Sequence, residues 1–244
     1  MFDHSSNPAF NEKYFEQVMG HDEAMTESGT INKAGLLLLI MFCSATFTWK
    51  TTIQEGMLNY NYMLIGLFCA FILSLIIIFY KKSAPVLAPV YAIFEGMTLG
   101  GISAVYNMLY QGIVMNAICI TLAIFALMLT LYKLGFLRAS ETYMKVITIA
   151  TGGIALGYLA ELGLSCMGIS TMKFLADSPY SILVSGFIAV VAALNFVVDF
   201  EQIRVGVQNN QPKYMEWYCG FGLLLTLVWL YLEILKILAK SRRK

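Results

Sequence analysis

The stretch Asn195–Leu235, NFVVDFEQIRVGVQNNQPKYMEWYCGFGLLLTLVWLYLEIL, decides the reading of the chain. It holds two apolar, helix-length runs joined by a short polar link, and carboxylates stand at both ends of those runs. Elsewhere the chain largely keeps charge out of such runs. A carboxylate at membrane depth costs roughly 2.5–3.5 kcal/mol on insertion scales, so it takes a partner, a proton, an ion or a water-filled cavity. The pattern points to an acidic site inside a membrane.

Composition supports that reading. Hydrophobic residues make up 59% and charged residues 13% of 244, against roughly 45–50% and 25% in ordinary soluble domains, and mean hydropathy is +0.71. A bilayer core about 30 Å thick needs about 20 mostly apolar residues per helix. Seven runs qualify, roughly 35–50, 62–80, 86–108, 113–132, 146–166, 180–199 and 218–239. The expected fold is an all-α membrane protein, a seven-transmembrane-helix bundle. Three parts follow: a polar N-terminal cytoplasmic segment 1–34, a transmembrane domain 35–239 and a basic tail 240–244. The first segment is too long and too acidic for the charged leader of a signal peptide, so the first span is expected to remain.

If the N-terminus and the loops after spans two, four and six share one side, that side holds Lys13, Lys33, Lys81, Lys82, Lys133, Arg138, Lys145, Arg204 and Lys213. The opposite loops hold only Lys50 and Lys173. Positive-inside counting puts the N-terminus in the cytoplasm of a cell (plasma or inner) membrane protein. The tail Lys236, Lys240, Arg242, Arg243 and Lys244 disagrees, because seven full spans leave it outside. A re-entrant last segment is the alternative.

Span three carries a packing signal: Ala84, Ala88, Ala92, Gly96, Gly100 and Ala104 recur every fourth residue, a small-residue ridge that lets a neighbouring backbone approach closely. Span six repeats the device with Ser181, Ser185, Ala189 and Ala193. Gly152, Gly153, Gly157 and Gly163 in span five are expected to permit tight contact as well. The cysteines, Cys43, Cys69, Cys119, Cys166 and Cys219, have no ligand spacing and read as small buried packers.

The acids of the spans are Glu95, Glu161, Asp199 and Glu233, while no Lys or Arg lies between Lys50 and Lys81, between Lys82 and Lys133, or between Lys145 and Lys173. Such an inventory suits protons or metal cations rather than anions. Asp199 closes span six on a small, polar face with Asn195 one turn earlier, whereas Glu201 sits three residues from Arg204 and pairs with it. Glu95 lies near half depth in span three. Cys219, Gly222, Thr226 and Glu233 form one stripe of the last span. Glu233 has two readings, an ion-pathway acid or an interfacial residue paired with Lys236. Glu161 is nearer a span end and reads as interfacial.

Catalytic classes fare poorly. The only histidines, His4 and His21, lie in the polar N-terminal segment, too few and too far from the spans for a metal hydrolase or a histidine-activated serine nucleophile. Asp199 has no second aspartate in any span for an aspartyl protease. No enzyme activity, cofactor or firm metal site is expected, with Asp199 as the one candidate ligand. A net charge of +1 points to no nucleic-acid partner.

APVYAIFEGMTLGGISAVY in span three, TGGIALGY in span five, NFVVDFEQIRVGV and PKYMEWYCGFGLLLTLVWLYLEIL together resemble a bacterial member of the Bax inhibitor, or transmembrane Bax inhibitor motif, family. The resemblance implies a seven-helix bundle with the last helix central. It also implies a calcium-permeable leak gated by protonation of two aspartates, one ending the sixth helix and one in the seventh. The first carries over to Asp199. The second position is Thr226 here, and Glu233 is the nearest acid on that face. An arginine of the second helix that latches the pair in relatives has no match inside the span, where only Lys81 and Lys82 stand at its end.

The leading expectation is a passive, pH-sensitive cation leak in the lipid bilayer with calcium as the permeant ion. Its ion-pathway or pH-sensing residues are Asp199, Glu95, Glu233, Thr226 and Asn195. Its helix-packing residues are Ala92, Gly96, Gly100 and Ala104. Calcium takes six to eight oxygen ligands, and these side chains offer too few for a tight cage, which suits conduction. The alternative is a non-conducting interaction protein that regulates another membrane protein, such as a membrane-anchored protease, through residues 1–34.

Overall fold

The computed structural model describes residues 23–54, 60–137, 139–168 and 180–242. Among them run seven helices: α1 Glu27–Gln54, α2 Asn61–Phe79, α3 Ala84–Leu109, α4 Ile113–Lys133, α5 Glu141–Cys166, α6 Ser181–Gln208 and α7 Tyr214–Arg242. All seven are long and apolar enough to cross a membrane. Residues 1–22, with His4 and His21, and the tail residues Arg243 and Lys244 lie outside the described residues.

Local chemistry sets the helix ends. A 3-10 turn, Lys81–Ser83, links α2 to α3, and Pro85 falls in the first turn of α3, where a missing N–H costs nothing. Gly112, at φ +76°, turns the chain into α4 while its N–H donates to Asn107 Oδ1 at 3.1 Å. Ser140 caps α5 by accepting from the Tyr143 N–H at 3.2 Å.

Helix α7 is central, packed against α1, α3, α4 and α6. It joins two apolar clusters. One gathers Phe196 of α6, Ile113 and Ala117 of α4, and Leu230 and Leu235 of α7. The other gathers Leu37 of α1, Ile77 of α2, Ala88 and Tyr91 of α3, and Phe221 and Leu224 of α7. Helix α2 packs on α3, and α5 packs mainly on α6, so these two form the periphery.

The α3 ridge faces α1 and the bundle interior. Ala84, Ala88, Ala92 and Ala104 are fully buried. A Cβ on Gly96 would run into the Met41 carbonyl, and one on Gly100 into the Ala45 backbone. The Ser44 hydroxyl of α1 also donates to the Ile93 carbonyl of α3 at 2.7 Å. On α6, Ser181 and Ser185 are buried.

Three expectations need correction. The helices outrun the apolar runs, because helical hydrogen bonding continues through amphipathic turns beyond the hydrocarbon layer. Helix α1 therefore begins at Glu27, inside the polar segment, and α6 continues to Gln208, so Asp199 lies more than two turns before its end. Cys43 and Cys119 are exposed rather than buried packers, while the last segment is one continuous helix, as seven full spans require, and not the re-entrant alternative. The glycines of α5 make no tight contacts: Gly152, Gly153, Gly157 and Gly163 are exposed, and a Cβ on any of them would meet nothing within 4 Å. They line the side of α5 that faces away from α6.

Contacts between loops define the two ends of the bundle. At one end Met25 N–H donates to the Gln211 carbonyl at 2.8 Å, Ala24 bridges Pro212, and Glu23 pairs with Lys213, tying the start of the described chain to the α6–α7 link. At the other, Lys240 donates to the Ser181 carbonyl at 3.1 Å and to Ser185 Oγ at 2.8 Å, and Arg242 donates to the Gln111 carbonyl at 2.8 Å. The basic end of α7 thus lies opposite the N-terminal end.

Candidate functional site

Asp199 and Thr226 meet where α6 crosses α7. The Thr226 hydroxyl donates to Asp199 Oδ2 at 2.7 Å. Thr226 Oγ1 is also 3.3 Å from the Gly222 carbonyl, but a hydroxyl has one proton and the closer acceptor, a carboxylate, takes it. A Cβ on Gly222 would meet nothing within 4 Å, so the space beside Asp199 is open.

That space is a cleft of about 100 Å³ bordered by Asp199, Gln202, Tyr218, Cys219, Gly222 and Ile78. Its volume holds a few waters or one hydrated ion. Lys81, on the turn after α2, places its ammonium 5.0 Å from the centre of the Tyr218 ring at one edge of the cleft. The Cys219 thiol is within electrostatic reach of both Asp199 and Lys81. The cleft therefore has an acid on its wall and a cation near its rim.

The other expected site residues divide. Asn195 lies one turn before Asp199, but its Nδ2 donates to Thr151 Oγ1 of α5 at 2.8 Å and to the Val191 carbonyl at 2.9 Å, so its amide ties α5 to α6. Glu95 is half-buried, with the Tyr91 hydroxyl, one turn earlier on α3, as its polar neighbour. The Tyr91 ring meets Phe221 edge-on at 4.9 Å, and Phe221 borders the Asp199 cleft. Glu95 is thus linked to the cleft through two aromatic rings rather than joined to Asp199. Glu233 continues the Cys219–Thr226 stripe at a spacing of seven. It is 1% exposed, accepts from Lys236 Nζ at 2.9 Å and meets Tyr158 of α5. Glu201 pairs with Arg204 as its spacing implies, and also accepts from the Tyr132 hydroxyl at 2.9 Å.

Two residues carry more than sequence reasoning assigned them. Glu216, 2% exposed in the first turn of α7, accepts from the Thr26 N–H at 2.8 Å and the Thr26 hydroxyl at 3.0 Å, and pairs with Lys33. An acid in a first turn is explained by the helix dipole alone, so nothing in its surroundings in sequence announced the pairing. Tyr158, inside the TGGIALGY stretch, gave no signal beyond a tyrosine on an apolar helix. Among the described residues, no group of three His, Cys, Asp or Glu side chains is placed to hold a metal ion.

No curated protein and no solved structure matches the chain. The model of the family described as Bax inhibitor 1 like matches residues 7–243, nearly its whole length. That span takes in all seven helices, the Asp199–Thr226 contact and the Glu233 stripe. This multipass membrane protein belongs to the Bax inhibitor 1 like family.

Proposed function

We propose that the protein is a passive cation leak through the bilayer of a cell (plasma or inner) membrane, with calcium as the permeant ion and Asp199 as the group that makes the leak sensitive to pH. The observation that carries this reading is the Asp199–Thr226 contact between α6 and the central helix α7, beside an open cleft. An acid whose bonding partner is a neutral hydroxyl keeps its affinity for protons and cations with no charge competing for it. Closure through a single hydrogen bond is also cheap to break, on the order of 1.5–3 kcal/mol for a charged acceptor.

Each charged or hydroxyl group has a part in this reading. Asp199 binds the proton or the passing cation. Thr226 holds α7 against α6 in the closed state, taking the place of the second aspartate implied by the family resemblance. Lys81, near the rim, repels cations while it rests on Tyr218, and supplies at the end of α2 the positive charge that relatives carry within that helix. Glu95 adds negative potential behind Phe221. No catalytic step and no resident cofactor enter the proposal.

The exposed glycines of α5 favour a second reading, a non-conducting protein that docks another membrane protein along that helix, since close helix–helix approach in lipid uses small residues. The two readings part in one experiment. Purified protein in liposomes loaded with a calcium indicator should admit calcium faster than protein-free liposomes, and removal of residues 1–22 should leave the rate unchanged. Liposomes that stay tight at every pH would favour the docking protein.

A further inference from the structure

A second buried carboxylate stands on the same stripe of α7, seven residues and about 10.5 Å along the axis from Thr226. Glu233 Oε1 is crowded with partners: the Tyr158 hydroxyl donates at 2.5 Å and Lys236 Nζ at 2.9 Å. Lys236 also lies 3.4 Å from the Tyr158 oxygen and 4.8 Å from the centre of its ring. The other oxygen, Oε2, is buried with no hydrogen-bond partner among the described residues, and so is the Trp229 indole nitrogen one turn earlier. Both side chains adjoin Tyr158, and Glu161, three residues further along α5, adds a second negative charge that acts on it.

This arrangement is odd for a mere packing tie. A buried carboxylate oxygen left without a partner is costly, and an ammonium that needed only to neutralise Glu233 could sit between its two oxygens. Lys236 instead approaches from one side, with its own side chain 35% exposed, so the ammonium can swing away from Glu233 toward the surface of the bundle. A hard cation such as calcium differs from an ammonium in the respect that matters here. It takes both oxygens of one carboxylate at 2.3–2.6 Å, accepts neutral oxygens beside them, and completes its shell with water. Glu233 and the Tyr158 oxygen supply that set, and the Trp229 N–H is placed to bind a water of the shell.

We propose that Glu233, with Tyr158 and Trp229, forms a hard-cation exchange site in which the tethered Lys236 ammonium occupies the place of a mobile divalent ion. Cation binding displaces Lys236 toward the surface of the bundle, and its return expels the ion. The site lies toward the end of the bundle that holds Lys240 and Arg242, opposite the end where the chain is tied by Glu23 and Met25. In the leak reading it is a second station beyond Asp199, but cation binding at Glu233 does not depend on conduction.

Terbium(III), a luminescent stand-in for calcium, tests this in the purified full-length protein, with Trp229 as the neighbouring antenna. All variants carry Asp199→Asn, so that binding at the cleft does not contribute. Lys236→Met should bind terbium about tenfold more tightly than the parent, because the competing charge is gone, and calcium should displace it. Adding Glu233→Gln should abolish that gain, and adding Trp229→Phe should dim the emission. Lys236→Gln repeats the test with a polar residue, and thermal midpoints identify any variant that fails to fold. Unchanged affinity in both folded Lys236 variants, or a gain that survives Glu233→Gln, would overturn the proposal. Calcium flux is not read here, so failure of the leak reading and failure of this site remain distinguishable.

Discussion

At position 226 a threonine does with one proton what a second acid would do by sharing one: it donates to Asp199 Oδ2. Thr226→Val removes that donor and leaves Asp199 facing a methyl group. The variant should leak calcium several-fold faster than wild type, and its thermal midpoint should fall by the equivalent of about 1–3 kcal/mol. Thr226→Asp should behave differently, because two acids at 2.7 Å reach hold together only while they share a proton. Its flux should therefore rise with pH, as the shared proton leaves and the carboxylates repel. Away from the site, Glu216→Ala leaves Lys33 partly buried without its carboxylate, and should cost about 3–5 kcal/mol of stability, read as a lowered midpoint in detergent. Asp199 was legible as an acid on a small, polar helix face, and Thr226 as the position opposite it only through the family resemblance. Glu216 was not, because its partners Thr26 and Lys33 lie more than 180 positions away.

Helices α3 and α5 use their glycines in opposite ways. On α3 the repeat of four puts Gly96 and Gly100 against the backbone of α1, where the atoms a side chain would meet are carbonyls that cannot move aside. Gly96→Leu and Gly100→Leu should each lower the thermal midpoint, by an amount of order 1–3 kcal/mol or more. Ile93→Leu, on the exposed side of the same helix, should not. On α5, Gly152→Ala and Gly157→Ala should leave stability unchanged or raise it slightly, since the added methyl meets open space and alanine favours the helix. Equal losses on α3 and α5 would contradict this division. The difference was only half legible in sequence. A glycine says that a neighbour is allowed to come close; the presence of that neighbour depends on how the whole bundle packs, and α5 is held along one side only.

Across the whole molecule, seven hydrophobic runs were enough to indicate an all-α, seven-span chain, because the bilayer leaves little choice for an apolar run of that length. The placement of the C-terminal charges was not legible. Lys236, Lys240 and Arg242 read as a basic tail at odds with the positive-inside count, yet they bond to Glu233, Ser185 and Gln111, which puts them at the end opposite Met25. Cysteine probes at Ser83 and Ser140 on a cysteine-free background should therefore label from the cytoplasmic side, and a probe at Gln111 from the other. The account as a whole turns on Asp199 as the titrating gate of a cation leak. The most direct test is calcium flux into liposomes containing only the purified protein, measured from acid to alkaline pH for wild type and Asp199→Asn. The asparagine can still accept the Thr226 hydrogen bond but cannot titrate. The account predicts a leak whose rate changes with pH in wild type and is flat in Asp199→Asn; the same pH profile in both proteins, or no leak in either, would contradict it.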